Sequence, residues 1–155
     1  MPTAFSRVEK SGNSPLRQKF AHPVHHFQIQ VSDIRKSAKF YGELLSRLGF
    51  VKVFETEGMV EWQMEGTRII VAQAPKRFLA NGYHRKRVGL NHIAFRALSR
   101  EAVDEFYRNY LVPDKVPVLY GGVKEWPDYD QGYYAVYFED PDRIKLELVY
   151  VPGDK

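Results

Sequence analysis

The chain has 155 residues, the length of one ordinary domain or of two small modules sharing a core. Its apolar share of 44% and charged share of 27% are those of a globular protein. It contains no cysteine, which excludes disulfides, thiolate metal sites and a cysteine nucleophile.

The net charge of +4 is local. Arg7, Lys10, Arg17 and Lys19 lie near the start, and Lys76, Arg77, Arg85, Lys86 and Arg87 lie mid-chain. The second group suits either a solvated linker or a cationic lip for an anionic substrate. No recognition helix or aromatic RNA-binding strand accompanies it, so nucleic acid is not an expected partner. No apolar run reaches the roughly 18 residues of a membrane span. The first residues lack the apolar stretch of a secretory signal. With the missing cysteines, this points to a cytoplasmic protein with no membrane partner.

Residues 1–20 read as a polar tail. In residues 24–31, VHHFQIQV, the side chains alternate: His25, Phe27, Ile29 and Val31 on one side, Val24, His26, Gln28 and Gln30 on the other. Ser32-Asp33 offers a helix cap. Ile34, Ala38, Tyr41, Leu45 and Leu48 follow at helical spacing, and Gly49 closes the helix. Strands are expected near 50–56, 59–65 and 68–73, giving a βαβββ module over 21–75. A basic linker, 76–88, follows. The pattern then restarts over 89–151, with an alternating strand LNHIAFRA at 90–97, a helix capped by Ser99, and strands near 116–120, 133–139 and 144–151. Residues 152–155 form a short tail.

The restart is an internal repeat with a checkable register. His26 stands fourteen positions before Phe40-Tyr41, and His92 stands fourteen before Phe106-Tyr107. The last strand, DRIKLELVY, alternates as well: Ile144, Leu146, Leu148 and Tyr150 form one face, and Lys145, Glu147 and Val149 the other. Packed edge to edge, two such modules would bring the faces bearing His26, His92 and Glu147 to one concavity. Two imidazoles and a carboxylate suit a divalent Fe, Mn, Co, Ni or Zn ion and leave positions open for a substrate.

Three stretches, VHHFQIQVSDIRKSAKFYGELLSRLGF, GLNHIAFRA and YFEDPDRIKLELV, resemble the vicinal oxygen chelate superfamily, which includes glyoxalase I, bleomycin-resistance proteins, fosfomycin-resistance transferases, methylmalonyl-CoA epimerase and extradiol dioxygenases. The resemblance implies an α+β fold of two repeated βαβββ modules whose sheets form a curved, partly closed, barrel-like cleft. It also implies His26, His92 and Glu147 as ligands of one divalent metal ion, with Asp140-Pro141-Asp142 as the turn that aims the last strand.

Several departures bear on the reaction. Strand TRIIVAQ turns Arg68, Ile70 and Ala72 to the cavity, where glyoxalase I and the epimerase place a fourth ligand; Gln63 and Gln73 are the nearest substitutes. KEWPDYDQGYY lacks the catalytic histidine of the extradiol enzymes, and Arg143 replaces the glycine usual after the turn. Only VPGDK follows the last strand, where fosfomycin transferases need a basic set.

The resemblance leaves a generic expectation: a metal-dependent lyase, dioxygenase or transferase that chelates vicinal oxygens of a small molecule. Tyr137 is the candidate proton donor, and Gln28, Arg96 and Trp126 are candidate substrate contacts. A non-catalytic sequestering protein of the bleomycin-resistance type is the alternative. A homodimer is expected, with the site closing either within one chain or across two.

Overall fold

The structure is a computed structural model that describes residues 24–153. The tail, residues 1–20, and His22 lie outside the described residues. The order is β1 (His26–Val31), α1 (Ile34–Arg47), β2 (Val51–Glu55), β3 (Met59–Met64), β4 (Thr67–Gln73), then β5 (His92–Arg96), α2 (Arg100–Phe106), β6 (Lys124–Glu125), β7 (Tyr134–Glu139) and β8 (Lys145–Tyr150). The strands form two four-stranded sheets, ordered β1-β4-β3-β2 and β5-β8-β7-β6. In each, the first strand of the module pairs in parallel with the last, and the other pairings are antiparallel. The architecture is the expected α+β repeat, with the two sheets left open.

Local chemistry explains the elements. Asp33 caps α1 by accepting from the N–H groups of Arg35 and Lys36, at 3.0 and 3.2 Å. Ser99 does the same for α2, accepting from the Ala102 N–H at 3.2 Å. Gly49 ends α1 at a φ of +91°, a conformation in which a side chain is strained. Helix α1 buries Tyr41, Leu44 and Leu45 with Ile29, Val31, Val60, Trp62, Ile69 and Val71. In the second module Val103, Tyr110 and Leu111 join Ile93, Val136, Phe138, Leu146 and Leu148. Each such side chain contributes about 1.5–3 kcal/mol on burial.

Two segments differ from the sequence expectation. The helix after Ser99 continues as a π-type turn over Tyr107–Leu111. Residues 116–120 form no strand, only an isolated bridge between Val118 and Phe138; the strand lies instead at Lys124–Glu125, inside the aromatic insert. Pro117 has no N–H to donate, and Tyr120, Gly121 and Gly122 all have positive φ, so the chain turns where a strand was expected. The linker carries a 3₁₀ turn, Lys76–Asn81.

The modules meet through α1 and the Asp140 turn. Tyr41 donates its hydroxyl proton to Asp140 at 2.9 Å. The Ser32 N–H donates to Asp142 at 2.8 Å. Arg47 lies over the Tyr110 ring, and the rings of Phe50 and Phe95 meet edge to face. The sheet faces turned away from the helices therefore carry the candidate site residues.

Candidate metal centre

On the second sheet, β8 sits between β5 and β7, so Glu147 has neighbours on both sides. Its cross-strand partner on β7 is Tyr137, and on β5 it pairs with Ala94. His92 reaches it from the start of β5: Nε2 stands 2.9 Å from Oε2 of Glu147. The carboxylate is fully buried. Tyr133, in the aromatic insert, donates to the other oxygen, Oε1, at 2.5 Å. Oε2 has no hydrogen-bond donor among the described residues.

The proton on His92 explains that orphan. The Asn91 side-chain amide donates through Nδ2 to the Arg85 carbonyl at 2.9 Å, which orients its Oδ1 as an acceptor. That Oδ1 lies 2.8 Å from His92 Nδ1, so Nδ1 carries the hydrogen and Nε2 presents a lone pair. Burial holds the His92 pKa below the ordinary value, and the charge of Lys145 lowers it further against the pull of Glu147. A neutral imidazole lone pair thus faces a carboxylate oxygen at 2.9 Å. Two acceptors at that distance need a proton or a metal cation between them, and a divalent metal ion fits this donor set.

Tyr137 sits over this pair, its ring centroid 6.0 Å from that of His92. Burial first, then the hydrogen bond to Glu147 and that residue's charge, push its pKa well above the usual phenol. Tyr133 is raised in the same way. Both keep their protons at neutral pH, as donors require. Trp126 closes the wall, 5.2 Å from Tyr137 and 5.6 Å from Tyr120, centroid to centroid.

His26 and Gln28 stand on the first sheet, on the face away from α1, opposite Arg68 and Ile70. Both are exposed, and His26 Nδ1 lies 2.9 Å from Nδ1 of the exposed His25. Among the described residues no three metal-binding side chains gather, so one chain brings together His92 and Glu147 but not His26. Arg96 follows four positions after His92, on the same side of β5.

Gln73 is used structurally: it accepts from the Ile34 N–H and donates to the carbonyls of Val31, Ser32 and Ala74. Part of the basic loop is structural too, since Arg85 pairs with Glu139 at 2.6 Å. Sequence reasoning missed Asn91, Tyr133 and Glu61. Glu61 stands beside Ile70 on the His26 face, paired with Arg68 at 2.7 Å. Its strand parity could have revealed it; nothing local marks the other two.

An open, two-module α+β protein with a buried histidine–carboxylate pair is the class this geometry defines. The chain belongs to the Glyoxalase/Bleomycin resistance protein/Dioxygenase superfamily, whose model matches residues 24–148. It is 40% identical over 126 residues to the uncharacterized protein YqjT of Bacillus subtilis (strain 168), covering 81% of this chain and 97% of that one. A glyoxalase-type protein from Bacillus halodurans superposes with a TM-score of 0.76 at 35% identity, covering 86% of this chain and 98% of that one. Lactoylglutathione lyase from Agrobacterium tumefaciens shares the fold, with a TM-score of 0.64 at 21% identity over 87% and 99% of the two chains. Among the described residues no helix is long and apolar enough to cross a membrane.

Proposed function

We propose that the protein is a divalent-metal-dependent enzyme acting on a small molecule with two neighbouring oxygens, its metal held by His26, His92 and Glu147. The observation that carries this is the pair of facing acceptors, His92 Nε2 and Glu147 Oε2, 2.9 Å apart on a buried carboxylate. When bound, the ion supplies Lewis-acid stabilisation of charge developing on a substrate oxygen.

The chain's own groups do the rest. Asn91 fixes the His92 tautomer, and Tyr133 holds the carboxylate. Tyr137, kept protonated beside this carboxylate, is the candidate hydrogen-bond donor to a substrate oxygen. The rings of Tyr120, Trp126 and Tyr137 wall that side.

A homodimer completes the ligand set in this reading. β1 and β5 are edge strands of their sheets, and the His26 face is exposed. Val51 and Phe54 stand on that face at 63% and 45% exposure, apolar surface that a second copy would cover.

The test is elemental analysis of the purified protein beside His92→Ala. About one ion per chain is expected, lost in the variant. A protein that takes up none of Mn, Fe, Co, Ni or Zn excludes the metal reading and leaves a small-molecule binder.

A further inference from the structure

Lys145 stands on β8 two positions before Glu147, on the same side, and directly across from Glu139 on β7. Only 8% of it is exposed. Its stem is packed into the protein while the ammonium at the tip keeps contact with solvent, as long cationic side chains do. The acids beside Lys145 are committed to other residues. Glu139 pairs with Arg85 at 2.6 Å and with Arg143 at 3.6 Å. Glu147 turns to His92 and Tyr133. Among the described residues no carboxylate lies within ion-pair distance of the Lys145 ammonium.

The ammonium faces aromatic rings: Nζ lies 4.9 Å from the Tyr137 centroid and 5.8 Å from that of Tyr120. Such contacts leave the ammonium's hydrogens free to meet an anion. The third ring of the wall repeats the pattern. Trp126 has a buried indole N–H with no acceptor among the described residues. Buried donors without partners are rare and call for a cause. Here an ammonium and an indole N–H border the same three-ring wall, beside His92 and Glu147.

We propose that Lys145, with Trp126, binds a carboxylate of the ligand, so that the substrate is a small monocarboxylate lying against the Tyr120–Trp126–Tyr137 wall. One ammonium and one N–H match a single negative charge; a phosphate dianion draws on more cations. The proposal rests on the reading of this face as the substrate site, but it does not require the metal.

The test uses the full-length protein stripped of metal with a chelator, and two probes of one shape, benzoate and benzamide. Binding is followed by calorimetry and by the Trp126 indole N–H resonance, assigned with Trp126→Phe. Benzoate is expected to bind about tenfold more tightly than benzamide and to shift the indole signal. Lys145→Met, or Lys145→Gln if that variant does not fold, removes the preference; Lys145→Arg retains it. A lysine that only supports the fold would lower thermal stability when replaced and leave the preference intact. That result, or equal binding of the two probes by the wild type, overturns the proposal. Mn(II) uptake on the same samples separates the two readings. Benzoate preference without Mn(II) uptake removes the metal centre alone; Mn(II) uptake without the preference removes the carboxylate site alone.

Discussion

The hydroxyl of Tyr41, on the helix of the first repeat, donates to the carboxyl of Asp140, in the turn of the second, at 2.9 Å. Both side chains are buried, so the link between modules passes through an acid with little water around it. The same carboxyl accepts from the N–H groups of Asp142 and Ile144 and so shapes the turn that leads into β8 and Glu147.

Burial pushes the Asp140 pKa up from 3.8 to about 6, against hydrogen bonds from Ile144 and Tyr41 that pull it down. A folded pKa above the unfolded one contributes stability below about pH 4, and that contribution is lost as pH rises through about 6. The displacement corresponds to about 2–3 kcal/mol. Asp140→Asn keeps the acceptor for the two backbone groups and removes the charge. Its stability relative to wild type should therefore climb as pH rises from about 4 to 7, followed by urea denaturation. A flat difference across that range would mean that the buried acid carries no such cost.

Arg143 occupies the left-handed region, φ 66°, at the end of the same turn. A side chain there costs about 1 kcal/mol or more, and glycine avoids it. Its ion pair with Glu139 is long, 3.6 Å, and the arginine is mostly exposed, so little is lost with it. Arg143→Gly should raise stability by about 1 kcal/mol, with an unchanged denaturant slope. A lower midpoint would show that the ion pair outweighs the backbone strain.

Tyr133 is the hydrogen-bond donor to Oε1 of the buried Glu147. Tyr133→Phe keeps the ring and frees the carboxylate to rotate. Metal affinity should fall by about 10–100-fold, the usual effect of removing a group that orients a ligand. Titration with Mn(II) measures it, and unchanged affinity would separate Tyr133 from the metal site.

His26→Ala and His92→Ala, each unable to hold metal alone, should complement one another if sites form across two copies. A co-expressed pair yields mixed dimers with one intact site, about a quarter of all sites. Metal content of the tagged and purified mixture reads this directly. No recovery would place His26 and His92 in the same chain's site, or His26 outside it.

Much of this protein is legible in its sequence. Alternation in VHHFQIQV, LNHIAFRA and DRIKLELVY assigns His26, His92 and Glu147 to faces, because a strand's side chains have a fixed period of two. The repeat spacing then supplied the order of elements. The strand expected at 116–120 failed because Pro117 and the positive φ at Tyr120 act on backbone pairing, which apolar alternation does not report.

The sequence by itself thus determined the modules and the side of the sheet on which each candidate ligand stands, since both follow from local periodicity. Tertiary structure alone decided the rest: that Asn91 selects the His92 tautomer, that Tyr133 reaches Glu147 from a loop, that Arg85 takes Glu139 and leaves Lys145 among aromatic rings, and that His26 stands apart from His92 and Glu147 within one chain. These are contacts between residues distant in the chain or set by loop geometry, and no short-range pattern encodes where a loop returns or which partner a charge meets.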